Sequence, residues 1–137
     1  MDEFKAAITI DASPEAVWAV LADVGAYPEW DPDGERIEGR LAVGERVRVF
    51  SRPDPSRALA ARITECVGTH KLAWKGRLPL GLFHRERTIV LTAKDSQTTK
   101  VSIREAVGGP LRGSAPRSAE PIQRFLTALK KRSEGQG

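Results

Sequence analysis

The sequence predicts an α+β fold in which a curved antiparallel β-sheet of about seven strands wraps around a long C-terminal helix, with two short helices after strand 1. Three observations predict it. Phe4 to Asp11 alternates apolar and polar residues, as a half-buried strand does. From Arg36 to Val107 nearly every segment is strand-like, and short turns separate the segments. Near the end, Ile122, Phe125, Leu126 and Leu129 recur at i, i+3, i+4 and i+7, a helical stripe. A meander that long has to curl, and a helix laid across its concave side buries one face of each strand.

Taken in order, Phe4, Ala6, Ile8 and Ile10 point inward from the first strand. Ser13, Pro14 and Glu15 then start a helix, with Ser13 as N-cap and Pro14 at the first helical position. Val17, Val20, Leu21 and Val24 give it an apolar face, and Gly25 stops it or bends the chain. Ala26 to Trp30 is a second short helical piece, ended by the turn residues Asp31 to Gly34.

Six strands follow: Arg36 to Leu41, a run from Gly44 that carries Val47 and Val49, Leu59 to Val67, Leu72 to Leu78, Phe83 to Ala93, and Lys100 to Val107. The breaks between them are Pro53 to Ser56, Gly68 to His70, Pro79 to Gly81 and Asp95 to Gln97. Phe50 shares the outward phase of Arg46 and Arg48. Gly108 to Arg117 reads as a loop, Ser118 as the cap of the last helix, and Glu134 to Gly137 as a fraying end. Burying the four residues of the helical stripe contributes on the order of 6–12 kcal/mol, an upper estimate.

The 137 residues suit one domain, residues 1–137. No stretch approaches the roughly 18 apolar residues of a membrane span, and the first residues lack the pattern of a signal peptide. Cys66 is the single cysteine, so no internal disulfide forms and a reducing, cytoplasmic setting is expected. Lys and Arg total 22 against 18 Asp and Glu, a net charge of +4. Arg46, Arg48, Arg62, Arg85 and Arg87 alternate with apolar residues, the pattern of a solvated outer sheet face. The aromatics sit mostly on the apolar side of that pattern, which argues against a nucleic-acid surface. Lys130, Lys131 and Arg132 leave peripheral lipid contact open.

The element order, with the string ITIDASPEAVW from Ile8 to Trp18 and AYPEWDP from Ala26 to Pro32, resembles the START-like (SRPBCC) superfamily. Within it the chain is similar to the polyketide cyclase/dehydrase-type branch. LAWKG from Leu72 to Gly76 and the run from Gly81 to Glu105 add to that likeness. The resemblance implies a helix-grip fold and the binding of lipids, polyketides or other hydrophobic molecules. It leaves the chemistry open, since some members are cyclases and others lipid carriers. One departure is the short stretch between Val107 and a short last helix, which implies a pocket that is small or open at that end.

Candidate chemistry is sparse. There is no nucleophile elbow, phosphate-binding glycine loop or zinc-protease motif, and no metal or cofactor is expected. His70 reads as a solvated turn residue and His84 as a rim residue. Arg87 and Glu105 are more informative. A hairpin centred near Ser96 pairs residues whose numbers sum to about 192, so Leu91 faces Val101, Ile89 faces Ile103 and Arg87 faces Glu105. The first two pairs are apolar, which puts the charged pair on the inward face, where each partner needs the other.

Two roles suit the pair: an ion pair at the open end of the sheet, or a polar anchor for a ligand. Arg87, Glu105 and His84 are the catalytic candidates. The expected pocket lining is Tyr27, Trp30, Leu72, Trp74, Phe83, Arg87, Ile89, Ile103, Glu105, Ile122, Phe125 and Leu126. Trp74 points inward because it alternates in phase with Leu72 and Leu78. Three functions follow: carriage of a small hydrophobic or amphipathic ligand between sheet and helix, an aromatase/cyclase or dehydratase-type enzyme, or a protein-interaction module.

Overall fold

A computed structural model describes residues 2–50, 58–111 and 118–135. Strand β1 (Asp2–Ile10) leads into α1 (Pro14–Ala22) and a 3-10 turn (Val24–Glu29). Strands β2 (Arg36–Glu38), β3 (Arg46–Phe50), β4 (Ala58–Val67), β5 (Lys71–Arg77), β6 (His84–Asp95) and β7 (Thr98–Gly108) follow, and α2 (Glu120–Ser133) ends the order. The seven strands form one antiparallel sheet, β1-β7-β6-β5-β4-β3-β2. The meander from β2 to β7 is therefore consecutive, and β1 closes the far side against β7. This is a helix-grip, START-like architecture.

Local chemistry explains the elements. The Ser13 side chain accepts a hydrogen bond from the Ala16 amide, and Pro14 opens α1, so the first turn is capped as the sequence suggests. For α2 the cap shifts by one residue. Ala119 occupies the N-cap position, and the Ser118 hydroxyl accepts instead from the Glu120 amide. The end of α2 does not fray at Glu134. Its carboxylate accepts from the Asp11 amide at 2.7 Å and pairs with Lys130, which ties the helix end to the end of β1.

β6 and β7 meet in the register centred at Ser96. Leu91 pairs with Val101, Ile89 with Ile103 and Arg87 with Glu105. β2 is shorter than the sequence suggests and stops at Glu38. A bulge between Ile63 and Glu65 shifts the β4–β5 register, so alternation along β4 breaks at Thr64. The turn expected at Pro53 to Ser56 lies outside the described residues, as do most of the loop before α2 and the last two residues.

The concave face of the sheet packs against α1, the 3-10 turn and α2. Ile10, Ile63, Leu72, Trp74, Ile89, Leu91, Val101 and Ile103 from the strands meet Val17, Leu21, Tyr27, Ile122, Phe125, Leu126 and Leu129 from the helical layer. On the outer face, Phe50 departs from its expected exposure. It is buried with the Arg36 guanidinium 4.1 Å from its ring centroid, a cation–π cover over an apolar side chain.

Candidate functional site

Charge, not a catalytic motif, marks the candidate site. Two arginines and two glutamates meet on the concave face, and all four are buried: Glu105 is 3% exposed, Glu35 and Arg87 5% and Arg85 8%. Glu105 accepts from Arg85 Nε at 2.7 Å, from Arg87 Nε at 2.9 Å and from Arg87 Nη2 at 2.8 Å. Glu35 accepts from Arg87 Nη1 and, at 3.4 Å, from Arg85 Nη2. Each arginine thus bridges both carboxylates, and the four formal charges cancel.

The guanidinium carbons also sit over aromatic faces. Arg85 lies 5.4 Å and Arg87 5.8 Å from the Trp74 ring, and Arg87 lies 5.4 Å from the Phe125 ring. β6 and β7 supply Arg85, Arg87 and Glu105 because residues of one parity share a face. Glu35 comes from the irregular chain between the 3-10 turn and β2. There the Asp31 carboxylate accepts from the Asp33 and Glu35 amides and shapes the bend, with Gly34 at φ +67 between them.

Electrostatics hold Glu105 and Arg87 ionised. Burial alone would raise the Glu105 carboxyl, but the charges of Arg87 and Arg85, with their hydrogen bonds, pull it down to about 2. Burial would lower the Arg87 guanidinium, and Glu105 and Glu35 push it up instead. Asp31 shifts the other way. Its partial burial raises it, against the two backbone hydrogen bonds that lower it.

A ring of aromatics adjoins the cluster. Tyr27, Trp30 and Phe125 stand with centroids 5.1–5.4 Å apart in edge and tilted contacts. The Tyr27 hydroxyl donates to the Leu21 carbonyl at 2.6 Å, and burial raises its pKa well above the ordinary phenol value.

The structure brings together most of the residues expected around a pocket. Tyr27, Leu72, Trp74, Ile89, Ile103, Ile122, Phe125 and Leu126 belong to one buried cluster, with Trp30 half-buried against it. Arg87 and Glu105 lie at one end of it. Two expected members stand apart. Phe83 and His84 line a cleft of about 590 Å³ with Arg77, Leu78 and Leu80 at the β5–β6 connection. Along β6, His84 has the parity opposite to Arg85 and Arg87, its ring packs over Gly108, and its Nε2 is buried without a hydrogen-bond partner.

One residue departs from the outer-face pattern of the arginines. Arg85 is buried on the concave face beside Arg87, which lies inward opposite Glu105 as the hairpin register requires, and two carboxylates compensate both. Glu35 carries no sequence signal for the site. Arg85 was recoverable, since it shares the parity of Arg87, Ile89 and Leu91. Glu35 was not, because it lies in an aperiodic loop about 50 residues from its partners. Leu78 is the exposed end of its strand phase, whereas Trp74 is 1% exposed, as the alternation required.

An antiparallel sheet gripping a C-terminal helix is the architecture of START-like, helix-grip domains. Over residues 1–134 the chain matches the family described as Polyketide cyclase / dehydrase and lipid transport, and it belongs to that family. Similar solved structures share the fold at low identity. A hypothetical protein from Helicobacter pylori is 14% identical with a TM-score of 0.78, over 96% of this chain and 88% of that one. A START superfamily protein from Mycobacterium smegmatis is 15% identical with a TM-score of 0.73, over 98% and 99%. The Zhui aromatase/cyclase from a Streptomyces is 17% identical with a TM-score of 0.73, over 97% and 93%. No curated protein matches. No helix among the described residues is long and apolar enough to cross a membrane.

Proposed function

We propose that the protein binds a small hydrophobic or amphipathic molecule between the sheet and α2, with the Arg85–Arg87–Glu105–Glu35 cluster meeting its polar end. The observation that carries this reading is the position of the cluster. Four charges are buried against Trp74 and Phe125, the inner wall of the grip, at a cost that a purely structural core avoids with apolar residues. Mostly apolar walls with a few placed polar groups are what ligand sites require. Family membership supports the reading, since lipid transport is part of the family's description.

The test is native mass spectrometry of freshly purified protein, followed by titration of stripped protein with dodecanoate while Trp fluorescence is monitored. A co-purifying apolar molecule, or saturable quenching that Trp74→Phe removes, is the expected result. Absence of both sinks the proposal.

A second reading, an aromatase/cyclase or dehydratase-type enzyme, draws on the convergence of four ionisable groups in the same face. The chemistry favours binding over proton transfer. A carboxyl held at about 2 is a poor general acid at neutral pH and a weak base. What remains is polarisation of a ligand carbonyl by Arg85 or Arg87. Turnover of a linear poly-β-keto thioester into a cyclised aromatic, followed by absorbance and lost in Arg87→Lys, would establish it.

A further inference from the structure

We infer that Glu35 is an internal substitute for a ligand carboxylate: it fills the anion position between Arg87 Nη1 and Arg85 Nη2, and the acid group of an amphipathic carboxylic acid displaces it to enter the grip. This rests on the binding reading above and names the ligand class.

The two carboxylates of the cluster are unequally held. Glu105 stands in the middle of a strand paired on both sides, with β1 and with β6. It takes three donors at 2.7–2.9 Å. Glu35 stands on no ladder. It follows Gly34, whose positive φ of 67° is the left-handed conformation that glycine adopts without strain. Its bond from Arg87 Nη1 is short, at 2.5 Å, but its contact to Arg85 Nη2 stretches to 3.4 Å, so one arginine holds it tightly and the other loosely. The asymmetry leaves a rigid half, Arg85, Arg87 and Glu105, and a replaceable half, Glu35.

Charge restricts what replaces it. Without Glu35 the two guanidiniums face one carboxylate among the described residues, and a buried net positive charge is costly. An incoming carboxylate restores neutrality and matches the guanidinium fork. An alcohol or ketone of the same shape cannot. The neighbouring Trp74, Phe125 and Trp30 rings suit an apolar body attached to that acid.

The strap that carries Glu35 has space to move. Asp31 accepts from the Asp33 and Glu35 amides, so the bend is braced by two side-chain bonds rather than by a strand ladder. Trp30, at its base, is bordered on two sides by open grooves. One, of about 410 Å³, runs past Pro32, Gln123 and Arg124, and the other, of about 140 Å³, past Val20, Ala26 and Arg132. On its outer side the strap is tied by the exposed Asp33–Arg124 pair at 3.0 Å, the type of contact that opens at little cost.

The experiment measures dodecanoate and dodecanol binding to wild type, Glu35→Gln and Glu35→Asp. Removing the internal competitor should tighten dodecanoate by at least about tenfold in Glu35→Gln, with a smaller gain in Glu35→Asp, and leave dodecanol unchanged. Wild-type protein saturated with dodecanoate, but not with dodecanol, should exchange the Glu35 amide faster, a readout that needs no variant to fold. Dodecanoate binding that is unchanged or weaker in both variants overturns the displacement while the binding reading stands. Equal gains for acid and alcohol overturn it too, since the strap would then be a lid without charge selectivity. Wild type that binds dodecanol and not dodecanoate refutes the acid class. Failure of both ligands on every protein removes the binding reading together with this one.

Discussion

The sheet carries two charge networks back to back, and adjacent residues of β6 and β7 contribute to both. On the convex side Arg104 reaches Glu3 at 2.8 Å and Glu86 at 3.3 Å, and Lys75 approaches Glu86 at 3.6 Å. On the concave side Arg85 and Arg87 hold Glu105 and Glu35. The partners and distances are alike, and the surroundings are opposite. Arg104 is 41% exposed and its Coulomb energy is spread into water, so its pairs contribute little. Glu105 and Arg87 are out of water, so each depends on the other for most of its solvation. One residue step along β7, from Arg104 to Glu105, separates an ornamental ion pair from an obligatory one.

Substitutions sharpen this contrast, and the largest effect belongs to the inner network. Glu105→Ala should cost about 3–5 kcal/mol in urea unfolding, because two buried guanidiniums lose the carboxylate that takes three of their N–H bonds. Glu105→Gln keeps some hydrogen bonding and should cost about 1–3 kcal/mol. A loss below that range would mean water already reaches the cluster.

Acid should expose the same dependence. The folded Glu105 carboxyl sits at about 2, below its ordinary 4.5, so the unfolded chain takes up the proton first as pH falls. The stabilisation, on the order of 3 kcal/mol, is fully present above about pH 4.5 and is lost as pH drops towards 2. Urea midpoints between pH 6 and 2 in wild type and Glu105→Gln should converge at the acid end. Parallel curves would break the argument.

Tyr27→Phe removes a neutral buried hydrogen bond to Leu21 and should cost about 1 kcal/mol, between the two networks. At the bottom of the scale, Arg104→Ala should leave the urea midpoint unchanged within error, and added salt should not alter that result.

Much of the fold was legible in the sequence because it rests on period. The Ile122 to Leu129 stripe, the alternation of Leu72 with Trp74, and the 192 sum of the β6–β7 hairpin each follow from a repeat that backbone geometry imposes. The hairpin also led to Arg87 opposite Glu105. What escaped lacked a period or had its period broken. Glu35 sits where the chain turns under the control of Asp31, and the bulge at Thr64 interrupts β4. Arg85 is different. Alternating arginines suggest an outer face, but alternation alone does not say which face the charge takes, whereas the parity that Arg85 shares with Arg87, Ile89 and Leu91 does.

The two ends of the sheet are blunted in different ways, and this bears on how the protein behaves at high concentration. At one end β2 is three residues long, because the chain leaves the sheet at Gly39, where a Cβ would lie 2.8 Å from Val47 Cγ1. At the other end β1 is nine residues long, and among the described strands it has no neighbour on its outer side. Asp2, Glu3 and Lys5 punctuate it, and a second chain adding to that margin would have to accommodate those charges. Brevity at one margin and charge at the other both oppose edge-to-edge pairing between copies of the sheet.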